Sequence, residues 1–247
     1  MSRVASLPTE SEGFLITPRH GSSVCADCFN LTRGFRRCYA CSHGEQHLAA
    51  FAPVSYSIGH EQLHNALWSY KRLAGPRAEH AALMLSAILW RFLAVHEPCV
   101  AHAAGTAGFD VVTTVPSGDP ERDEQHPLRR IVGELVGPTR GRYARLLRRT
   151  EKEVVPRRFD AGRYRSVQAL GGEDVLLIDD TWTTGASAQS AAAALRRAGA
   201  GTVAAVVIGR HVNRDWHENG QYLDGLPGPF DWSHCVLCQG KRLAIAA

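Results

Sequence analysis

The stretch Val175-Leu176-Leu177-Ile178-Asp179-Asp180-Thr181-Trp182-Thr183-Thr184-Gly185-Ala186-Ser187 decides how this chain reads. Four apolar residues in a row, bounded upstream by Gly171-Gly172, predict a strand buried on both faces of a parallel sheet. Asp179 and Asp180 then leave the strand at its carboxyl end, where open α/β sheets bind ligands. The turn that follows is rich in hydroxyls and glycine, and it opens onto the helix-forming run Ala188–Leu195. Backbone amides at the positive end of a helix form a cradle for an anion such as phosphate. Carboxylates beside that cradle can hold sugar hydroxyls or a hard cation such as magnesium. Together the parts describe a grip for a sugar phosphate. A plainer reading is a buried strand ending in two solvated aspartates. A nucleotide hydrolase is a further alternative, but no G-x-x-x-x-G-K-[ST] loop occurs in the chain.

The same thirteen positions resemble the phosphoribosyl-pyrophosphate (PRPP) signature of type I phosphoribosyltransferases. The resemblance implies a parallel α/β core and Mg²⁺-dependent transfer of 5-phosphoribose from PRPP to a nitrogenous acceptor. It also implies roles. Asp179 and Asp180 would grip the ribose hydroxyls and serve the ligand rather than the fold. Thr181, Trp182, Thr183, Thr184, Gly185, Ala186 and Ser187 would cradle the 5-phosphate. Phe109–Val115 reads as another buried strand, stopped by Pro116-Ser117-Gly118. By resemblance the loop after it, with Ser117, Gly118 and Arg122, takes the pyrophosphate. The segment Arg122-Asp123-Glu124-Gln125-His126 departs from the family's Arg-Gly-Phe-Asn-Gln pattern there, and Gln125–Val136 is expected to be the next helix.

Length and composition bound the rest. The 247 residues, 45% hydrophobic, can bury one sizeable core plus a small appendage. A net charge of +4 and a pI near 8.8 suit a handler of polyanionic small molecules and do not by themselves imply nucleic acid. Neither a run of 18 apolar residues nor a signal-peptide core at Met1–Glu10 is evident, so a cytoplasmic protein without membrane contact is expected. In a reducing compartment the seven cysteines point to metal ligation rather than disulfides.

Cys25-x-x-Cys28 and Cys38-x-x-Cys41 are two knuckles whose four thiolates can complete a tetrahedral structural Zn²⁺ site. His43 and His47, and again His60 and His64, lie four apart and read as surface or packing histidines. A third knuckle, Cys235-x-x-Cys238, is expected to return to the N-terminal cysteines or to recruit His43, His47 or His234, unless it is a turn of inert thiols. Cys99 reads as a small core residue. Glu61–His96 is helical in pattern and broken near Gly75-Pro76, with Ala78–Val95 as a core helix. Lys71 within it reads as a solvated lysine, a substrate-facing place being the alternative. Arg140–Arg165, with nine arginines and one lysine, reads in part as a mobile loop.

The order of parts is similar to the ComF-like branch of the family (competence protein ComF), which has an N-terminal zinc ribbon ahead of a phosphoribosyltransferase core. In that family the basic segment corresponds to a flap over the donor. The expected organisation is a leader and cysteine element over 1–50, the core over 51–210, and an irregular tail over 211–247 that covers the active site. A second function class stands beside the enzyme: a non-catalytic PRPP sensor that binds nucleic acid or a protein partner. A homo-oligomer is compatible with this organisation, and nothing in residues 42–75 or 211–234 encodes a recognisable base as acceptor.

Overall fold

The computed structural model describes residues 13–117, 123–226 and 228–238. The strands are, in chain order, β1 (Ala50–Ile58), β2 (Val111–Thr114), β3 (Leu147–Arg149), β4 (Tyr164–Ser166), β5 (Val175–Trp182) and β6 (Val203–Val212). The helices are α1 (Tyr39–His43), α2 (Gln62–Arg72), α3 (Pro76–Ala104), α4 (Pro127–Arg130), α5 (Gly137–Arg140), α6 (Ala186–Arg197) and α7 (Asn219–Asp224). Four strands form one parallel sheet in the order β1-β6-β5-β2, while β3 and β4 pair as a separate antiparallel hairpin.

The unbroken apolar runs are explained by what covers them. Leu176 and Ile178 of β5, with Ala204, Val206 and Ile208 of β6, belong to the core under α3. Val175, Leu177, Val203, Ala205 and Val207 belong to the opposite core, which α6 closes with Ala188, Ala191, Ala192, Ala194 and Leu195. A strand between two helical layers must be apolar at every position, which is why period-2 alternation is missing. Each fully buried Val, Leu or Ile here contributes roughly 1.5–3 kcal/mol.

The connections create a crevice. After β5 the chain turns to the α6 face, while after β2 it runs to the α3 face, where Leu128, Ile131 and Val132 join the core. β2 and β5 are neighbours in register. Their carboxyl ends therefore flank a point where successive connections diverge, the place where such sheets leave room for a ligand.

Several expectations change. The core helix α3 runs from Pro76 to Ala104, well past Val95, with Pro98 inside it. Its length and composition would suffice to cross a membrane; here it packs on the sheet as a core helix. The expected helix Gln125–Val136 is a short α4 starting at Pro127, whose ring suits the first helical position, followed by a wider π turn over Ile131–Leu135. Arg140–Arg165 is more ordered than its poor periodicity predicted. The β3–β4 hairpin clamps both ends, and the buried Arg163 donates to the carbonyls of Val155 and Arg158 across the intervening loop. The expected irregular tail divides: Trp216 and His217 line a cavity with Thr183, Thr184 and the cysteine loops, whereas Phe230, Trp232, Cys235 and Cys238 return to α3.

Candidate functional site

Adjacent residues of a strand point to opposite faces, and this separates the two aspartates. Asp179 lines a cavity of about 110 Å³ together with Arg157, Thr181 and Thr183–Ala188. Asp180 points toward α2 and is 2% exposed. Its carboxylate accepts from the Tyr70 hydroxyl and, at 2.6 Å, from Lys71 Nζ. The two carboxylates, expected to grip one ligand, thus lie apart: Asp179 faces the cavity, and Asp180 ties α2 to the sheet. Lys71 likewise is not a solvated helix lysine. The apolar stripe Leu63, Ala66, Leu67 and Tyr70 faces inward on α2 and carries Lys71 to the strand end.

Burial pushes both carboxyls up, Asp179 to about 6, where Lys71 opposes the shift. Lys71 is lowered to about 8 by burial, with Asp179 opposing. The ion pair predicts an asymmetric mutational cycle. Lys71→Met strands a carboxylate that is almost fully buried and should cost about 3 kcal/mol. Adding Asp180→Asn removes that charge, so the double variant should be more stable than Lys71→Met alone. Denaturant midpoints of the two variants check this, and a double variant less stable than Lys71→Met refutes it.

The turn after β5 is shaped by one close contact. Gly185 has φ +83°, and a Cβ there would lie 2.2 Å from the Trp182 ring. Trp182 is 4% exposed and packs against Phe51, so the residue expected among the phosphate contacts is the floor beneath the turn. Thr184 Oγ1 donates to the Arg157 carbonyl and accepts weakly from the Ala186 amide. Among the described residues the amides of Gly185, Ser187 and Ala188 have no acceptor. Gly185→Ala is expected to cost about 2–4 kcal/mol, from backbone strain and overpacking. That is roughly 5–15 °C in Tm, readable by thermal melting.

At the end of β2 the Ser117 amide is already engaged, donating at 2.7 Å to Asp123 Oδ1. Asp123 is 4% exposed and also accepts from Arg129 and Arg145. The departing segment thus carries a buried carboxylate bonded back to the end of β2. Gly118 and Arg122, expected to hold pyrophosphate, lie outside the described residues. His126 is lowered to about 4 by burial and by the cations Lys71 and Arg129, so its imidazole is neutral at physiological pH. Of the basic segment, Arg157 reaches the cavity, whereas Arg142 pairs with Glu97 and Arg145 with Glu124.

Cys25, Cys28, Cys38 and Cys41 converge as expected, with ligand atoms within 4.8 Å of one another, and could hold a structural metal such as zinc. Beside them Arg210 is 2% exposed and has no carboxylate partner among the described residues. Its guanidinium donates to the carbonyls of Cys28, at 2.8 Å, and Trp182, at 3.1 Å, and Nη2 lies 3.6 Å from Cys28 Sγ. A buried cation needs a counter-charge. Four thiolates around a divalent ion would carry net negative charge and supply one. Arg210 thereby links the cysteine cluster to the turn.

The third knuckle finds partners the sequence did not suggest. Cys235 and Cys238 meet His96 and Cys99. Cys99 is accordingly no isolated core thiol. His43 is bonded to the Tyr39 carbonyl, His47 to Glu45 and His234 to Asp231, so none of the three joins the knuckle. His64 instead sits between His60 and His211. No protein-family model matches the chain, and a search of curated proteins found no match.

Proposed function

We propose that this chain binds PRPP at the Thr181–Ser187 turn and transfers its 5-phosphoribose to a nitrogen nucleophile, releasing pyrophosphate. One observation carries the reading. Helix-start amides without acceptors and the Asp179 carboxylate line the same cavity at the carboxyl end of a buried parallel strand. The amides suit a phosphate and the carboxylate suits ribose hydroxyls. In the reaction the nitrogen attacks the anomeric carbon, the bond to pyrophosphate oxygen breaks with its electron pair, and the nitrogen loses a proton. The cationic transition state is stabilised by orientation and by fixed charge. Asp179 provides that charge, and Arg157 stands over the turn where it can attract phosphate oxygens. Magnesium carried by the pyrophosphate would neutralise the leaving group, and Asp179, rather than the occupied Asp180, is the carboxylate that fits it. The four N-terminal cysteines would hold a structural zinc ion. Raising of the melting temperature by PRPP with magnesium, and pyrophosphate release across nucleobases, ammonia and amines, test this reading. No PRPP-dependent shift would refute it.

A second reading, a PRPP-sensing regulator, draws on a different surface. Phe35, Tyr39 and Trp216 are 69%, 80% and 51% exposed and border a cavity of about 400 Å³ with Arg33, Arg37 and Thr184. Exposed rings interleaved with arginines suit single-stranded nucleic acid. Salt-dependent DNA or RNA binding, measured with and without PRPP, separates the two readings.

A further inference from the structure

We propose that His96, Cys99, Cys235 and Cys238 hold a second structural zinc ion, which clasps the C-terminal segment to α3. The four ligand atoms lie within 4.8 Å of one another and all four residues are buried. Cys235 Sγ is 3.4 Å from Cys238 Sγ, and His96 Nδ1 is 3.6 Å from Cys99 Sγ and 3.9 Å from Cys238 Sγ. A tetrahedral zinc with its usual bond lengths sets sulfurs about 3.8 Å apart and nitrogen about 3.6 Å from sulfur. These three spacings lie within a few tenths of an ångström of those values, and the remaining pairs are within 4.8 Å, close enough for one ion to draw the four ligands together.

The imidazole is oriented for ligation. His96 Nε2 lies 2.9 Å from the Trp232 carbonyl, which can only accept, so the proton sits on Nε2. The Nδ1 lone pair is then turned toward the three sulfurs, and an outer carbonyl fixing the tautomer is the usual support for a zinc-bound histidine. The knuckle is turned inward as well: the Cys238 amide approaches Cys235 Sγ at 3.4 Å and the Cys235 amide approaches Cys238 Sγ at 3.2 Å, contacts that favour thiolates. Three soft sulfurs and one imidazole, with no carboxylate in the set, select zinc over calcium or magnesium.

Place and connectivity say what the ion would do. α3 leads directly into β2, so its last turns lie at the amino ends of the strands, away from the Asp179 turn. Four protein ligands close the coordination shell and leave no position for a substrate. The segment from Gly228 to Cys238 has no regular element and rests on α3 through Trp232, over whose ring Arg91 lies at 5.1 Å. So short a segment gains its fixed course from ligation, as small metal-held elements do. Zinc entry would displace the protons of the three thiols to solvent.

Metal analysis and zinc-edge X-ray absorption on the full-length protein, purified without chelator, test the clasp. Two zinc ions per chain are expected, sharing seven sulfur ligands and one nitrogen between this cluster and the N-terminal one. One zinc with four sulfur ligands, or two with sulfur alone, would overturn the proposal, as would a Cys235–Cys238 disulfide in anaerobically prepared protein. Cys99→Ser should retain one zinc, and limited proteolysis should cut between α7 and Cys235 at least tenfold faster than in wild type. Should that variant fail to fold, stoichiometry and ligand type in the wild type still decide. The inference is independent of the phosphoribose reading.

Discussion

Asp179→Asn should reduce PRPP-dependent pyrophosphate release by about a hundredfold or more, the scale of losing one preorganised charge. The same change should leave the protein at least as stable as wild type at neutral pH. Burial holds the Asp179 carboxyl at about 6, above the ordinary 3.8. Between those values the folded chain keeps a proton that the unfolded chain has released, so wild-type stability falls as pH rises through this window. Asparagine does not titrate. The variant's advantage should therefore be near zero at about pH 4 and reach its full size above about pH 7. A shift of this kind corresponds to at most about 3 kcal/mol, less for the solvent that reaches the cavity. The Asp180–Lys71 pair is present in both proteins and cancels. Melting curves at acidic and neutral pH, with turnover measured alongside, check both halves. Full turnover in the variant would reject the role of Asp179 in transfer, and a stability loss confined to neutral pH would show that its charge supports the fold.

Cys28→Ser should have the largest effect on stability. If the N-terminal cluster holds zinc, losing one thiolate forfeits much of the metal's contribution to folding, several kcal/mol or about 10 °C or more in Tm. It also weakens the counter-charge for buried Arg210, whose guanidinium lies 3.6 Å from Cys28 Sγ. Because Arg210 also holds the Trp182 carbonyl, the damage should reach the turn: PRPP should raise the variant's melting temperature less than it raises that of wild type. Zinc content by elemental analysis should fall by one ion per chain. A wild-type protein that is folded and metal-free after chelator-free purification would reject the premise.

Arg210 and Asp180 are instructive because neither looks unusual along the chain. Arg210 sits in β6 as a polar residue near the end of an apolar strand. Only the parallel pairing of Trp182 with Arg210, and the cysteine loops folded over that end, make it a buried bridge. Asp180 beside Asp179 suggests a paired grip, yet strand alternation sends one to α2 and the other to the cavity. That much was available from the period of a strand. The Tyr70 and Lys71 partners were not, because they are more than a hundred residues away in sequence.

The sequence alone determined the elements whose signal is local. A run of four apolar residues before two acids fixed the central strand, the glycine turn and alanine-rich stretch fixed α6, and the spacing of the first two cysteine knuckles fixed their convergence. Each rests on backbone preference or on short loops that bring ligands together cheaply. The tertiary structure decided whatever depends on which distant segments share a face. It placed Asp180 against α2, folded Asp123 back onto the Ser117 amide, set Trp182 under Gly185, and brought Cys235 and Cys238 to His96 and Cys99. Such contacts follow from strand order and from the return of the tail to α3, and no local periodicity encodes either.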